Sequence, residues 1–348
     1  MNSPTITVLV TTYNYGQFIE QCIDSVLAQE VGQVQIVVVD DGSTDDTSER
    51  VKKYGSRIEY FYKPNGGQAS ALNYGFERAR AEIIALLDAD DFCLPGKLAR
   101  IMEAFHEDPT LGMVYHRLRE WHMDTGAYTE LDFVPVSGDI HKKPDFFLSY
   151  VPHPTSAIAF RRSCLAPFLP IPENIRMLAD CFPVSLMAFR SPVLAVPEFL
   201  SMYRIHRKNS YYVDATQIPA PIIGGRLEMW QIVIDAMRKW LFDNGYSKRD
   251  PPVRDFLNLW TRHQQMNRFR AKPPSRLGFL RYVLWENHAN SPRQTWRFTA
   301  VQYMTAISAL AFGYERKSAM DEWRGKILET VERAYRAFFG RHSNRSAP

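Results

Sequence analysis

The sequence is poor in cysteine and has no long apolar run. Only 4 of 348 residues are cysteines, and they are scattered without metal-ligand or redox spacing, which favours reduced thiols in a cytoplasmic protein. A long uncharged stretch, residues 298–314, contains Thr, Gln and Ser and is shorter than the roughly 20 apolar residues of a membrane span. The first residues lack the basic and apolar regions of a leader. We therefore predict neither a transmembrane helix nor a signal peptide.

Two common nucleotide-binding signatures are also missing. No Gly-x-Gly-x-x-Gly follows the first predicted strand, which argues against a dinucleotide site, and no Gly-Lys-Ser/Thr of a P-loop occurs. The polar segments after the predicted strands offer carboxylates and amides instead.

Charge is distributed unevenly along the chain. Residues from 222 onward carry 22 Lys and Arg against 11 Asp and Glu, whereas the preceding part has 20 against 27. The basic part reads as three to five amphipathic helices interleaved with Trp and Tyr, which suits peripheral contact with an anionic inner membrane face. A solvated helical face is the alternative, and no nucleic-acid motif is present. The basic residues concerned are Arg254, Arg262, Arg268, Arg270, Lys272, Arg276 and Arg281.

The first hundred residues alternate apolar runs with amphipathic segments. This order predicts a parallel sheet with helical crossovers, in which ligands bind beyond the carboxyl ends of the strands. Three polar turns, at residues 11–14, 40–45 and 88–91, fall on that edge. Asp88, Asp90 and Asp91 lie close enough to repel one another, and a hard divalent cation, Mg2+ or Mn2+, is their natural partner. A solvated turn is the alternative.

A pyrimidine nucleotide is chemically reasonable at this edge. Asp41 can accept the N3–H of a uracil, and Tyr13 can stack on a base. For Asp41 alone, helix capping or turn formation explains the residue equally well.

Four motifs taken together resemble glycosyltransferase family 2. They are Val10-Thr11-Thr12-Tyr13-Asn14, Val39-Asp40-Asp41-Gly42-Ser43-Thr44-Asp45, Asn65-Gly66-Gly67-Gln68-Ala69-Ser70-Ala71-Leu72-Asn73 and Leu87-Asp88-Ala89-Asp90-Asp91. The resemblance implies an α/β protein with the nucleotide-diphospho-sugar transferase fold called GT-A, here followed by a C-terminal helical extension. We expect a nucleotide-sugar-binding part at 1–110, an acceptor-binding part at 111–215 and a helical region at 216–348.

The resemblance also implies roles for individual residues. The donor nucleotide-sugar would be held by Thr11, Thr12, Tyr13, Asp41, Asn65, Gln68, Asp88 and Asp90. The metal ion would be held by Asp90, Asp91 and His206, with the choice between the two aspartates open. The 65–73 segment contains no Lys or Arg, so a cation found near the nucleotide in some relatives is not visible in it.

The expected general base is Asp180, in Met177-Leu178-Ala179-Asp180. Members of the family have two adjacent acids here, and Ala179 replaces the first. The alternative is that Asp180 only caps the next helix. His206 lies in Arg204-x-His206-x-x-Asn209-Ser210, which is similar to the late motif of the family, although a lone His after a strand is commonly structural. Arg204, Arg207 and Lys208 would add positive charge where a diphosphate departs.

The sequence therefore predicts a metal-dependent inverting glycosyltransferase of hexosyltransferase type. Its expected donor is a UDP-sugar, and its expected acceptor is a glycan or lipid-linked glycan in surface polysaccharide synthesis. Two alternatives remain. A catalytically silent sugar-nucleotide-binding partner would explain Ala179, and a sugar-phosphate nucleotidyltransferase would need a Gly-rich, basic loop that Tyr13-Asn14-Tyr15-Gly16 does not provide.

Overall fold

The computed structural model describes residues 4–130, 135–142, 154–206, 209, 220–258 and 260, with backbone alone for 220–226. All of them belong to one compact unit, Met1–Gln264. The C-terminal basic residues from Arg262 onward, and with them most of the predicted membrane-facing surface, lie outside the described residues. The predicted division at 110 and 215 stays a prediction.

The first ninety or so residues form the predicted alternation of strands and helices. Its elements are β1 (Ile6–Thr12), α1 (Gly16–Leu27), β2 (Val34–Asp40), α2 (Thr47–Lys52), β3 (Glu59–Tyr62), α3 (Gln68–Arg78) and β4 (Ile83–Asp88). Strands β3, β2, β1 and β4 pair in parallel in that order. The apolar runs of β1, β2 and β4 are buried on both faces, as expected for central parallel strands.

The chain after β4 extends the same sheet with a different pairing pattern. It contributes β5 (Phe92–Cys93), α4 (Lys97–Glu107), β6 (Met113–His122), β7 (Tyr128–Glu130), β8 (Ile158–Arg161), α5 (Arg162–Leu165), α6 (Cys181–Met187), β9 (Val193–Ile205) and α7 (Ala220–Asp243). The described strands run in the order β3-β2-β1-β4-β8-β6-β9-β5, and β7 pairs with β6. Strand β8 is antiparallel to both β4 and β6. It therefore joins the four parallel strands to the later strands of the sheet.

Two apolar layers cover the two faces of the sheet. One layer packs Ile19 and Ile23 of α1 and Ile101 of α4 against the strands. The other packs α3 and α6 together with Val233 and Met237 of α7. The described part of the C-terminal region therefore contributes to the core of the sheet.

One predicted strand begins later than expected. The sequence pattern predicts a strand over 155–160, but Thr155–Ala157 forms a 3-10 turn and β8 begins at Ile158. In this turn the hydroxyl of Thr155 donates to Asp180 and the hydroxyl of Ser156 donates to Asp91. The residues before β8 therefore make side-chain hydrogen bonds and are not part of the strand.

Candidate active site

The carboxyl ends of β1, β2 and β4 form one edge, where the predicted polar turns meet. Thr12 is paired in register with Asp40, and Thr11 with Asp88. The backbone continues this pairing past the strands, since Asp41 N–H donates to Thr12 O (2.9 Å) and Ala89 N–H donates to Thr11 O (3.2 Å). The polar residues after three separate strands are thus held side by side.

The acidic turn after β4 is largely buried. Asp90 is 6% exposed and Asp91 is fully buried. Burial and the charges of Asp90 and Asp180 raise the pKa of Asp88 to about 8, although hydroxyls of Thr155 and Thr11 oppose the rise. Three carboxylates crowded in this way favour protonation or a bound cation.

Asp91 is held by the protein itself. Ser156 Oγ donates to Asp91 Oδ2 (2.5 Å), and the backbone N–H of Arg204 donates to Asp91 Oδ1 (2.9 Å). Burial, followed by the charges of Asp90 and Asp88, raises the pKa of Asp91 well above its usual range. Ser156 Oγ also accepts from Asp88 N–H (3.0 Å), so one hydroxyl ties both ends of the acidic turn.

Asp90, by contrast, is directed towards the predicted histidine. His206 Nε2 lies 3.1 Å from Asp90 Oδ2, and Asn209 Nδ2 donates to the same oxygen (3.3 Å). The imidazole is packed against Phe18, with ring centroids 4.6 Å apart. The structure thus brings together two of the three predicted metal ligands and places Asp91 in a hydrogen-bonding role behind them.

The predicted base belongs to the same cluster. Asp180 is 7% exposed, and Thr155 Oγ1 donates to its Oδ2 (3.1 Å). Burial raises the pKa of Asp180 to about 6, and the Thr155 hydrogen bond opposes the rise. The side chain makes no capping hydrogen bond of the usual kind to α6, although the backbone N–H of Cys181, the first residue of that helix, also opposes the rise in pKa. Leu178, two residues earlier, has a positive φ of 62°, a conformation that non-glycine residues rarely adopt outside constrained sites.

Asp41 anchors the loop that follows β3. Its Oδ1 accepts from Lys63 Nζ (2.8 Å) and from Gly66 N–H (2.9 Å), and its Oδ2 accepts from Gly67 N–H (2.7 Å). A cation is therefore present at this edge, two residues before the segment in which none was visible. The sequence signal was the single Lys63 at the end of a strand, which has no diagnostic spacing.

The remaining predicted donor residues surround the same loop. Asn65 Oδ1 accepts from Arg176 Nη2 (2.6 Å), and Gln68 Oε1 accepts from Ala179 N–H (2.9 Å). Gly67 has a φ of +87°, and a Cβ there would lie 2.8 Å from Arg176 Cα. The loop is therefore joined directly to the segment that carries Asp180.

Thr11, Thr12 and Tyr13, at the carboxyl end of β1, differ in their surroundings. The hydroxyl of Thr11 faces Asp88. The hydroxyl of Thr12 is buried and has no hydrogen-bond partner among the described residues. Tyr13 is 47% exposed, so its ring face is accessible for stacking on a base.

The predicted cationic patch has a different arrangement. Arg204 is 3% exposed and lies over the rings of Phe18, Phe92 and Trp121, while its Nη2 donates to a glutamine of α1 (2.9 Å). The guanidinium therefore has a packing role in this structure. Arg207 and Lys208 lie outside the described residues.

Thr155 and Ser156 are the residues that the sequence pattern did not single out as functional. A third is Lys97, which is fully buried and donates from Nζ to Ser156 O (2.9 Å). Thr155 and Ser156 carry no spacing signal, because they reach the acidic turn from a distant part of the chain, and Lys97 meets that turn only through Ser156.

A divalent cation fits the donor set of Asp90 and His206. A carboxylate oxygen and a neutral imidazole suit Mn2+ as mixed ligands, and a carboxylate suits Mg2+. Among the described residues, no group of three or more His, Cys, Asp or Glu is arranged to hold a metal ion. A cation bound there would take further ligands from water or from a substrate diphosphate.

Comparison with known proteins identifies the chain's family. The profile described as Glycosyl transferase family 2 matches residues 7–164. An uncharacterised glycosyltransferase of Nostoc sp. is 33% identical over 224 residues, which cover 61% of this chain and 68% of that protein. The chain belongs to glycosyltransferase family 2. The resemblance carried by the four sequence motifs is thereby confirmed.

Solved structures similar to this family 2 glycosyltransferase share its fold. S. aureus TarS 1–349 in complex with UDP-GlcNAc superposes with a TM-score of 0.59 at 18% identity and covers 96% of this chain and 92% of its own. The mannosyltransferase PcManGT from Pyrobaculum calidifontis, in complex with GDP-Man and Mn2+, gives a TM-score of 0.51 at 19% identity, with 96% and 88% covered. The predicted GT-A fold is confirmed.

Helix length and hydropathy also bear on the membrane prediction. Within the part of the chain that the structure describes, no helix is both long and apolar enough to span a bilayer.

Proposed function

We propose that this glycosyltransferase transfers a sugar, with inversion, from a nucleotide-diphospho-sugar to a glycan or lipid-linked glycan acceptor in surface polysaccharide synthesis. The observation that carries the proposal is that Asp90 and His206, a pair suited to binding a metal ion, lie around the same acidic turn as a separate buried carboxylate, Asp180. An inverting transfer needs both a cation-binding site and a general base near the reacting atoms.

Asp180 is the proposed general base. Its pKa of about 6 leaves the carboxylate mostly ionised at neutral pH and still basic enough to accept a proton. It takes the proton of the acceptor hydroxyl while that oxygen forms a bond to the anomeric carbon. The bond from the anomeric carbon to the diphosphate breaks, and the nucleoside diphosphate leaves with the electron pair. General-base assistance of this kind is worth about 100- to 10,000-fold.

Asp90 and His206 are the proposed holders of Mn2+ or Mg2+. A cation held by these two residues would supply positive charge to offset the negative charge that develops on the leaving diphosphate. Asp91 and Ser156 keep the turn in place, because both oxygens of Asp91 accept hydrogen bonds from the protein. We assign Asp91 a positioning role and Asp90 the contact with the metal.

The base of the donor is proposed to be uracil. Tyr13 presents an accessible ring, and Thr12 offers a buried hydroxyl with no partner among the described residues. Asp41 is joined to Thr12 through its backbone N–H. Its Oδ2 accepts one hydrogen bond among the described residues, from Gly67 N–H, which leaves acceptor capacity for an imide N–H. The solved relatives include both a UDP-sugar and a GDP-sugar complex. A thermal-shift panel of UDP, GDP, TDP and CMP compounds, with and without Mn2+, tests base and metal together.

Asp180→Asn tests the enzyme proposal most directly. The variant is expected to bind the donor normally and to lose at least about 100-fold in transfer rate. A catalytically silent binding partner would show no turnover in the wild-type protein either. Glu82→Gln is the control and should leave the rate unchanged, because Glu82 is an exposed acid whose carboxylate accepts hydrogen bonds from Ser163. Loss of donor binding in Asp180→Asn would argue against the assigned role.

Peripheral membrane contact through the basic C-terminal region is part of the proposal. Its support is the excess of Lys and Arg from residue 222 onward, interleaved with Trp and Tyr. Flotation with vesicles containing anionic lipid should carry the protein at low salt and release it at high salt. Failure to float with anionic vesicles would remove the membrane from the proposal and leave the transfer reaction untouched.

A further inference from the structure

The hairpin formed by β6 and β7 presents an exposed aromatic surface. We call it the β6–β7 platform, and it consists of Arg119, Trp121, Tyr128, Glu130 and Met202 of the adjacent β9. Tyr128 is 60% exposed, the most exposed of the large hydrophobic side chains among the described residues. Its ring lies on that of Trp121, with centroids 6.3 Å apart and planes 16° from parallel. One face of Tyr128 is therefore supported by the protein while the other faces outward.

The supporting ring is itself held in place. Trp121 meets Phe92 edge to face at a centroid distance of 6.2 Å, and the guanidinium of Arg204 lies 5.4 Å from the centre of the Trp121 ring. A stacked aromatic pair with a fixed lower ring gives a preorganised surface, because little side-chain entropy is lost when a ligand binds.

Polar groups border the aromatic surface. Arg119 and Glu130 are cross-strand partners, and Arg119 Nη2 lies 3.9 Å from Glu130 Oε1. Both remain substantially exposed, so their donors and acceptors are accessible to a ligand. Arg119, Tyr128, Glu130 and Met202 line an open depression of about 440 Å³, which lies within the range of roughly 300–1,000 Å³ for small-molecule sites.

This combination fits a neutral sugar better than a charged ligand. The C–H face of a pyranose ring packs flat on an aromatic ring, and its equatorial hydroxyls at the edge can donate to Glu130 and accept from Arg119. Arg117 Nη2 also donates to Glu130 Oε2 (3.3 Å). An anion would be drawn to Arg117 and Arg119 but would meet the Glu130 carboxylate and make no use of the aromatic face, and a purely apolar ligand would leave these charges unsatisfied.

The platform is continuous with the reaction centre through β9. Met202 of the platform pairs in register with Phe92, the residue after Asp91. His206 follows Met202 by four residues, and at about 3.3 Å per extended residue the two are about 13 Å apart along the strand. This separation exceeds one sugar unit, so a ligand that reached both places would be an oligosaccharide.

We propose that the β6–β7 platform is a carbohydrate-binding subsite that holds a distal sugar unit of the acceptor glycan. The inference rests on the proposed transfer to a glycan. The platform's contribution is to retain a growing chain, whereas Asp180 acts on the terminal hydroxyl.

Affinity electrophoresis tests the proposal directly on the full chain. Native gels that contain a soluble neutral polysaccharide, in separate runs an α-1,4-glucan, a β-1,4-glucan derivative and a chitin derivative, report binding as retarded migration. The wild-type protein and Tyr128→Phe, which keeps the ring, should be retarded by at least one of them. Tyr128→Ala should bind about five- to tenfold more weakly, as expected for the loss of one stacked ring. Tyr62→Ala removes a similarly exposed tyrosine (57%) from the opposite edge strand β3 and should behave as wild type.

Two results would overturn the proposal. One is the absence of retardation of the wild-type protein by any of the polysaccharides, and the other is equal retardation of Tyr128→Ala and the wild-type protein. Donor binding and slow donor hydrolysis, measured on the same preparations, separate this failure from failure of the proposed function. If only the platform assignment is wrong, both donor activities persist in every variant.

Discussion

Replacing Thr155 by valine should move the acid limb of the pH–rate profile upward. Thr155 Oγ1 donates a hydrogen bond to Asp180 Oδ2. Valine has nearly the same shape as threonine but lacks the hydroxyl that donates this bond. A hydrogen bond to a charged group contributes about 1.5–3 kcal/mol, and 1.36 kcal/mol corresponds to one pKa unit. Loss of the bond destabilises the carboxylate, so the pKa of Asp180 should rise from about 6 to about 7–8.

The rate of transfer at saturating donor and cation, measured from pH 5 to pH 9, checks this expectation. Because the base must be ionised, Thr155→Val should be about 5- to 50-fold slower than wild type at pH 6 and nearly equal to it at pH 9. Thr155→Ser keeps the hydroxyl and should retain the wild-type profile.

The binding constant for the donor provides a second readout. The Thr155 hydroxyl also lies near Asp88, which is assigned to the donor, so a change confined to donor affinity would point to Asp88 as the affected group. The reasoning about Asp180 is refuted if Thr155→Val lowers the rate by the same factor at every pH.

Three further predictions concern stability and metal binding. Without ligands, the thermal stability of the protein should fall as the pH is raised from about 4 to about 8. The reason is that Asp88 keeps its proton up to about pH 8 in the folded protein, whereas the unfolded chain releases it near the ordinary pKa of 3.8. A melting temperature that rises over this range would contradict the pKa assigned to Asp88. Gly67→Ala should reduce the free energy of unfolding in urea by at least about 2 kcal/mol, because Gly67 has a positive φ and its Cβ would meet the Arg176 backbone. Gly55→Ala is the control: Gly55 also has a positive φ but open space around it, so the free energy of unfolding should fall by only about 1 kcal/mol. His206→Ala should weaken Mn2+-dependent UDP binding at least about tenfold by calorimetry and leave metal-free binding unchanged; equal loss in both conditions would exclude a ligand role.

The parallel half of the fold was predictable from local sequence. Continuous apolar runs with polar turns at their ends are typical of a parallel sheet covered on both faces, and the meeting of the polar turns at one edge follows from it. The later strands were less accessible to this reasoning. Strand β8 lies between β4 and β6 through antiparallel hydrogen bonds, and no periodicity in its four residues encodes that position.

The candidate site shows the same division. The acids of the turn could be named from sequence, but their individual environments could not. Asp90 and Asp91 are adjacent in the chain, yet one is directed towards His206 and the other is enclosed by Ser156 and a backbone amide of β9. These partners lie 65 to 116 residues away, so only the tertiary structure decides which acid meets a ligand.

The double use of Asp41 restricts how donor preference can be altered. The carboxylate proposed to recognise the base is also the attachment point for Lys63 and for two consecutive backbone amides of the neighbouring loop. Exchanging it for a residue suited to a purine would release that loop, and with it the contact from Gln68 to the segment bearing Asp180. A change of nucleotide preference should therefore begin at Tyr13, whose ring is exposed and is not among the residues that hold this loop.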